Sequence, residues 1–492
     1  MSQDSPVTSR ATDYSQWYLD VISAAGLADY SPVKGAMVIR PHGYAMWEHM
    51  RDDLDRRFKD TGHVNAYFPL FIPVSFLSKE AEHVEGFAKE CAVVTHHRLR
   101  AAEGGGVEPD PASKLEEPLV VRPTSETIIW HMYGQWIQSY RDLPILINQW
   151  ANVVRWEMKT RLFLRTSEFL WQEGHTAHAT SAEAVEETKK MLGVYADFAK
   201  DMLALPVVPG VKSASERFAG ALETFCIEAM MQNGWALQAG TSHFLGQNFA
   251  KAFDVTFQTQ EGTREHVWAT SWGVSTRLIG AVIMAHSDDT GLVLPPTIAP
   301  VQVVVTPIWK SDAEKADVLA FCAQVVATLK PHGIRVKLDD RDMKPGAKYY
   351  EWERKGVPLR LEVGPRDVKQ GSVFAASRTG GKKESMALEG LAATVRVKLD
   401  TIQADLYARA LAHHEARTFR PESYAAMKDA LDGGGFFLVP WHDDAVAEGK
   451  IKEETRATIR CYPIDGQAEA AGRTCFYSGR PATHMAIFAR AY

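Results

Sequence analysis

Apolar residues recur at helical spacing in several separate stretches of the chain. Trp47, Met50, Leu54 and Phe58 follow one another at three, four and four residues, which sets them on one stripe of a helix over residues 44–61. Val185, Thr188, Leu192, Tyr195, Phe198 and Met202 do the same over 182–205, and Pro206 ends that helix. A short helix, WYLDVISAA, is expected after a cap at Asp13 or Ser15 and before Gly26, with residues 1–13 disordered. Residues 62–73 read as a strand ended by Pro69 and Pro73. A polar helix containing Phe87, a strand AVVTHH and a mobile loop over 101–118 with its GGG and PDP follow. A strand at 119–121 leads to a helix carrying Ile128, Ile129, Met132 and Trp136. Apolar runs ending at Trp156 and resuming at Phe169 then make a hairpin with a long charged loop. After it, a second helix is expected over 216–232 and strands of one antiparallel sheet over 235–238, 252–259 and 266–270. An apolar helix over 275–286 precedes the linker Leu294-Pro295-Pro296.

Beyond the linker the rhythm changes. Strands at 301–308, 334–338, 358–363 and 372–376 alternate with helices at 312–329 and 348–355, which implies an α/β unit whose helices cover its sheet. A long helix over 386–411 leads into the last segment. The fold class is α+β, with boundaries at 1–13, 14–296, 297–411 and 412–492 and no internal repeat.

Composition narrows the class without naming it. A length of 492 residues, 46% hydrophobic and 24% charged, is ordinary for a water-soluble protein of two or three domains. Apolar runs such as 278–285 fall short of the roughly 20 residues a membrane span needs. The first residues lack the basic-then-apolar pattern of a secretion signal, and five scattered cysteines suit reduced thiols, which points to the cytoplasm. A net charge of −6 argues against a dedicated nucleic-acid binder, although residues 335–369 carry ten basic and seven acidic side chains.

The hairpin is where composition is hardest to explain structurally. Arg155, Glu157, Lys159, Arg161, Arg165 and Glu168 exceed what solubility requires, and Arg155 and Glu157, two apart on a strand, would share a face. Such an arginine is either half of an ion pair or a guanidinium held for a phosphate or carboxylate. Thr124, Ser125 and Glu126 could equally cap the helix that follows them. His175 and His178, three apart on a strand, face opposite sides and make a poor joint metal site. No GxxxxGK[ST], HExxH or GxSxG motif occurs.

Four ordered strings give this constellation a context. Gly35 to Pro73, Arg122-Pro123-Thr124-Ser125-Glu126 with the hairpin from Arg155 to His178, Gln238-Ala239-Gly240-Thr241-Ser242-His243, and Trp272-Gly273-Val274-Ser275-Thr276-Arg277 resemble the class II aminoacyl-tRNA synthetases. Within them the chain is similar to the prolyl family of the archaeal and eukaryotic type, which lacks the bacterial editing insertion. Only about 90 residues separate the hairpin from the last string. The resemblance implies a class II antiparallel-sheet catalytic domain, an α/β anticodon-binding domain and a small α/β C-terminal domain. It implies activation of L-proline with ATP and Mg2+, transfer to tRNA(Pro), and a homodimer packed through the first string.

Carried over residue by residue, Arg155 and Arg277 would be the catalytic arginines. Thr124, Glu126, Arg155, Phe87, Trp171, Glu173, His175, Phe218 and His243 would form the proline pocket. Arg155, Glu157, Arg165, Thr166, Gln238, Thr241, Ser275 and Arg277 would contact ATP. GVPLRLEVGPRDV, residues 356–368, resembles the signature of the anticodon-binding domain, and Glu353, Arg366, Asp367 and Lys369 lie where the anticodon would be read. The family's C-terminal four-cysteine zinc site would fall at His442, approximately Ala447, Cys475 and Ser478. Only two of these are plausible ligands, so no structural zinc is expected. The resemblance also places the carboxylate of the final Tyr492 toward the catalytic domain. Two other readings compete: a synthetase-like regulatory or tRNA-binding protein without catalysis, and a sister enzyme for an amino acid such as threonine.

Overall fold

The structure, a computed structural model, describes residues 7–78 and 91–492. The chain opens on helix α1 (Tyr14–Ala25), capped by Asp13 and closed by Gly26 in the left-handed conformation. Of the segment expected to be disordered, residues 1–6 lie outside the described residues, and residues 7–13 are bound. The Thr8 hydroxyl and amide donate to Asp20, and Arg10 pairs with Asp289 at 3.0 Å. Helix α2 (Pro41–Asp60) buries Met46, Trp47, Met50, Leu54 and Phe58 on the stripe anticipated from spacing. The stretch 62–73 holds two short strands, Val64–Asn65 and Phe71–Pro73. The helix expected around Phe87 lies outside the described residues. The supposed loop at 101–118 is a hairpin, Leu99–Ala101 with Val107–Pro109, followed by strand Lys114–Val121. The glycines at 104–106 make its turn, and Arg100 with Glu108 at 2.7 Å clasps its two arms.

Helix α3 (Glu126–Trp136) leads into the hairpin strands β1 (Ile145–Val154) and β2 (Glu168–His178), joined by the charged loop. Helix α4 (Ser181–Asp201) carries a capping box from Thr180 and Glu183. Next come β3 (Val207–Val211), β4 (Glu223–Met230), β5 (Ala236–Gly246), β6 (Trp268–Ser275) and α5 (Arg277–His286). The helix expected over 216–232 is thus strand β4. Seven of its eight residues are buried, so the polar–apolar alternation that betrays a one-sided strand is missing. Only Thr256–Gln258 of the strand expected at 252–259 is extended, and it pairs with Arg264–His266 in a separate ribbon instead of joining the main sheet.

The second unit has β7 (Val303–Pro307), α6 (Asp312–Leu329), α7 (Pro345–Arg354) and β8 (Leu359–Val363). β8 lies parallel to β7, and Ser372–Ser377 runs antiparallel beside it. Helix α8 (Leu391–Ala416) crosses the boundary drawn at 411, and the residues expected to start it form strand Glu384–Ala387. The C-terminal segment contributes β9 (Phe436–Trp441), α9 (Ala445–Thr455), β10 (Thr458–Pro463) and β11 (His484–Ala489). Its strands do not form a sheet of their own. β10 pairs with β3 through Gly210 opposite Pro463 and Val211 opposite Tyr462. One 11-stranded sheet therefore runs Thr418–Phe419, β9, β11, β10, β3, β4, β5, β6, β2, β1, Val64–Asn65. Trp17, Phe58, Tyr195, Phe198, Trp272 and Ile279 belong to the main core on one face of it. Among the described residues no helix is long and apolar enough to cross a membrane.

Candidate active site

The antiparallel register sets out the site as a grid. On β2, Trp171, Glu173 and His175 alternate onto one face, opposite Ser275, Gly273 and Ser271 of β6. Gly273 and Ser271 stand in turn opposite Thr241 and His243 of β5, and His243 opposite Thr224 of β4. Residues directly opposite share a face, so these side chains floor one cavity of about 280 Å³. The other face is closed by packing at Gly174. A methyl there would meet ring atoms of Trp272 at 2.1–2.3 Å, and that ring is itself wedged against Phe58 at 5.0 Å.

Arg155 and Arg277 both line this cavity. Arg155 stands one residue past the end of β1. Its Nε donates to the carbonyl of Pro123 at 3.0 Å, and its guanidinium lies 5.5 Å from the rings of both Phe169 and Trp171. It does not share a strand face with Glu157, because β1 stops at Val154; Glu157 instead pairs with Arg165 across the loop at 2.9 Å. Arg277 begins α5, held by Nε to the carbonyl of Leu164 at 3.2 Å. Burial lowers its pKa to about 10, and the charges of Arg155 and Arg165 push the same way.

At the other end sit two carboxylates with different surroundings. Glu173 is saturated: it accepts from Ser125 Oγ, from Gln149 Nε2 at 2.8 Å and from His175 Nε2 at 3.1 Å. Burial opposes its ionisation, but those donors hold its pKa below the ordinary carboxylate value. His175 is the mirror case. Burial disfavours the imidazolium, yet the Glu173 bond and the charges of Glu126 and Glu173 raise its pKa above the ordinary value, and its Nδ1 makes no hydrogen bond. Glu126, also in the cavity, accepts the Thr124 hydroxyl. No side chain caps α3 in the usual way, so Thr124, Ser125 and Glu126 are turned to the cavity and its supports. His243 stacks on Phe218 at 4.5 Å and meets Thr224 Oγ1 at 3.0 Å. Burial and the His175 charge lower its pKa to about 3, so it is neutral at physiological pH.

Of the residues singled out from sequence, Thr124, Glu126, Arg155, Trp171, Glu173, His175, Phe218, Gln238, Thr241, His243, Ser275 and Arg277 come together here. Glu157, Arg165 and Thr166 belong to the hairpin loop and its end and do not line the cavity; Thr166 Oγ1 donates to the carbonyl of Glu168 at 2.7 Å. Phe87 lies outside the described residues. Phe169, Glu216, Thr224 and Ser271 line the cavity without having been singled out. Strand parity could have found Phe169, two residues from Trp171, and Ser271, four from Ser275; Glu216 carries no such signal.

In the second unit, Glu353 accepts from Arg360 at 2.9 Å, and Asp367 is engaged by the Gly364 amide at 2.8 Å. Arg366 and Lys369 are exposed. In the C-terminal unit, His442 Nδ1 meets the Pro481 carbonyl at 2.8 Å. Cys475 is buried. Burial alone would raise its thiol pKa, but donors from Ser478 and the amides of His442 and Tyr477 hold it below the ordinary value.

A grid of antiparallel strands with an arginine from the hairpin and another from the following helix defines a class II aminoacyl-tRNA synthetase. Residues 107–286 match the tRNA synthetase class II core domain (G, H, P, S and T), residues 302–398 the anticodon binding domain, and residues 424–492 the prolyl-tRNA synthetase C-terminal family. The chain is 58% identical over 488 residues to the proline–tRNA ligase of Porphyromonas gingivalis, covering 99% of each. It is 58% identical over 490 residues to that of Bacteroides fragilis, again covering 99% of each. The crystal structure of prolyl-tRNA synthetase from Cryptosporidium parvum with halofuginone and AMPPNP aligns at a TM-score of 0.92 with 39% identity, covering 99% of both chains. Its complex with L-proline and AMP aligns at 0.90 with 38% identity, covering 99% of this chain and 97% of the other. The chain belongs to the prolyl-tRNA synthetases, enzymes that ligate proline to tRNA.

Proposed function

We propose that the cavity between Arg155, Arg277 and the Thr124–Glu126 turn binds L-proline and MgATP and forms prolyl-adenylate. The observation that carries this is the placing of two guanidinium groups and a threonine-bonded carboxylate on the walls of one cavity. A carboxylate oxygen of proline attacks the α-phosphorus; the new O–P bond forms as the bond from that phosphorus to the bridging oxygen breaks, and pyrophosphate departs. In the second step a ribose hydroxyl at the 3′ end of tRNA(Pro) attacks the activated carbonyl and AMP leaves. No protein nucleophile is required. The chain's work is to bring two anions together and stabilise the charge that grows on the phosphorane.

Arg155 serves as the bridge between carboxylate and α-phosphate, since its fork is aimed by the Pro123 carbonyl and flanked by two rings. Arg277 takes the far phosphates, with Gln238, Thr241 and Ser275 along the floor; Glu157, Arg165 and Thr166 act on the nucleotide from the loop. Glu126 and Thr124 receive the ammonium. Glu173 has its oxygens occupied by four donors, so it and His175 hold the turn in place. Trp171, Phe218 and neutral His243 wall the ring. Magnesium arrives with the triphosphate.

We assign the compact type of the family, without an editing insertion. Support comes from the segment between the hairpin and Trp272, which α4, β3, β4, β5 and the Thr256–Gln258 ribbon account for. The anticodon is read near Glu353, Arg366, Asp367 and Lys369. A homodimer in the cytoplasm is supported by exposed apolar side chains near the first string, among them Val38, Val64 and Tyr67. Proline-dependent exchange of pyrophosphate into ATP, with threonine, alanine and cysteine as controls, tests the reading. Exchange with proline is expected, and none with any of the four overturns it.

A further inference from the structure

The nucleotide end of the cavity is backed by a buried charge cluster that the reaction just described does not use. Glu228 of β4 is fully buried. Its carboxylate accepts Lys212 Nζ at 2.7 Å and, as a fork, Arg460 Nη2 at 3.1 Å and Nε at 3.2 Å. Lys212 also donates to the Arg460 carbonyl at 2.7 Å. Glu228 alternates with Thr224 and Cys226, which stand opposite His243 and Thr241 in the register, so it projects from the cavity face of the sheet. A bulge at Ile227/Glu228 then sets it opposite Gln238, which lines the cavity. Two cations meet one anion here, leaving a surplus of one positive charge in a buried place. Arg460 belongs to β10, so one of the two cations comes from the C-terminal unit.

A second contact joins the same two units at the cavity wall. Glu216, which lines the cavity, pairs with Lys452 of α9 at 3.1 Å, and Ser213 donates to Glu448 of the same helix at 2.8 Å. The cluster also reaches the nucleotide arginine electrostatically. After burial and the charges of Arg155 and Arg165, the next influences on Arg277 are Glu228, which opposes the lowering, and then Arg460, which adds to it.

We infer that Lys212 and Arg460, neutralised only in part by Glu228, are positioning residues for ATP, through which the C-terminal unit sets the affinity of the site for the triphosphate. A cluster that merely docks the two units would also be buried and paired, because breaking such a cluster is destabilising whatever its purpose. The difference lies in charge. A docking role needs the fork and its geometry, whereas an electrostatic role needs the positive surplus. The inference rests on the ATP reading of the cavity proposed above.

The test is the full-length enzyme in proline-dependent pyrophosphate exchange, with R460M, R460K, K212M and K212R compared and R277A as a control. R460M and K212M are expected to raise KM for ATP about tenfold, as removal of one unit charge in a region of low effective dielectric allows. KM for proline should stay within about twofold of its starting value, and R460K and K212R should restore KM for ATP. Thermal melts separate folding from binding. If R460M gives no cooperative melt, the Lys212 pair decides by the same criterion. An unchanged KM for ATP in the methionine variants, or lysine and methionine at 460 behaving alike, overturns the inference. Full exchange in R277A would instead overturn the ATP reading itself.

Discussion

Replacing Glu173 with glutamine tests how the amino-acid end of the cavity is held. The carboxylate is buried and takes four donors: the Ser125 amide and hydroxyl, Gln149 and His175. An amide offers one acceptor oxygen and presents two N–H groups, so at least one of those donors loses its partner and the imidazolium at 175 loses the nearer of its two counter-charges, keeping only Glu126. Breaking a buried charged pair from one side costs about 3–5 kcal/mol. The pH dependence follows from the two shifts. Glu173 is depressed below the ordinary carboxylate value of 4.5, so its contribution is present above that value and is lost as pH falls through the folded pKa. His175 is raised above 6.5, so its contribution is complete below that value and is lost as pH rises through the folded pKa. The stability difference between parent and E173Q should therefore be greatest between about pH 4.5 and 6.5 and shrink on either side. Urea unfolding followed by tryptophan fluorescence at a series of pH values measures it, and KM for proline in the exchange assay should rise together with it, since the Thr124–Glu126 turn loses its support. A difference that is flat across pH, or under about 1 kcal/mol, would show that Glu173 is not the anchor described.

Other outcomes follow from the same geometry. R155A and R277A should each lower the exchange rate about a hundred- to thousandfold, with far-ultraviolet circular dichroism unchanged. G174A should unfold at lower urea than the parent by about 1–3 kcal/mol or more, because its methyl would need the space of Trp272, and an unaltered midpoint would contradict that packing. R360M should raise KM for tRNA in aminoacylation while leaving proline-dependent exchange intact, since Arg360 holds Glu353, proposed above to lie where the anticodon is read, and neither residue lines the cavity.

The gathering of the candidate residues into one cavity was legible because they are costly residues. Arg155, Glu126, Glu173 and Arg277 stand in apolar surroundings where a charge needs a reason, and they recur in ordered strings. Strand β4 was not legible: with both faces covered it has no alternation, and ERFAGALETFCIEAMMQ suits a helix when read alone. The loop at 101–118 was misread because its glycines look like slack when they are the turn of a hairpin. Glu157 was expected to share a strand face with Arg155 because the sequence does not announce that β1 ends at Val154. The cluster of Lys212, Glu228 and Arg460 could not be anticipated, since Arg460 reaches the other two only through the pairing of β10 with β3.

That shared sheet bears on any attempt to shorten the protein. Cutting the chain after α8 would strip β10 from β3, baring the unpaired backbone edge of Pro209–Val211. Such a raw border invites self-association into aggregates. The excised remainder would hold β10 without its neighbour, so neither fragment is expected to remain monodisperse, and the catalytic portion of this chain is not a detachable module.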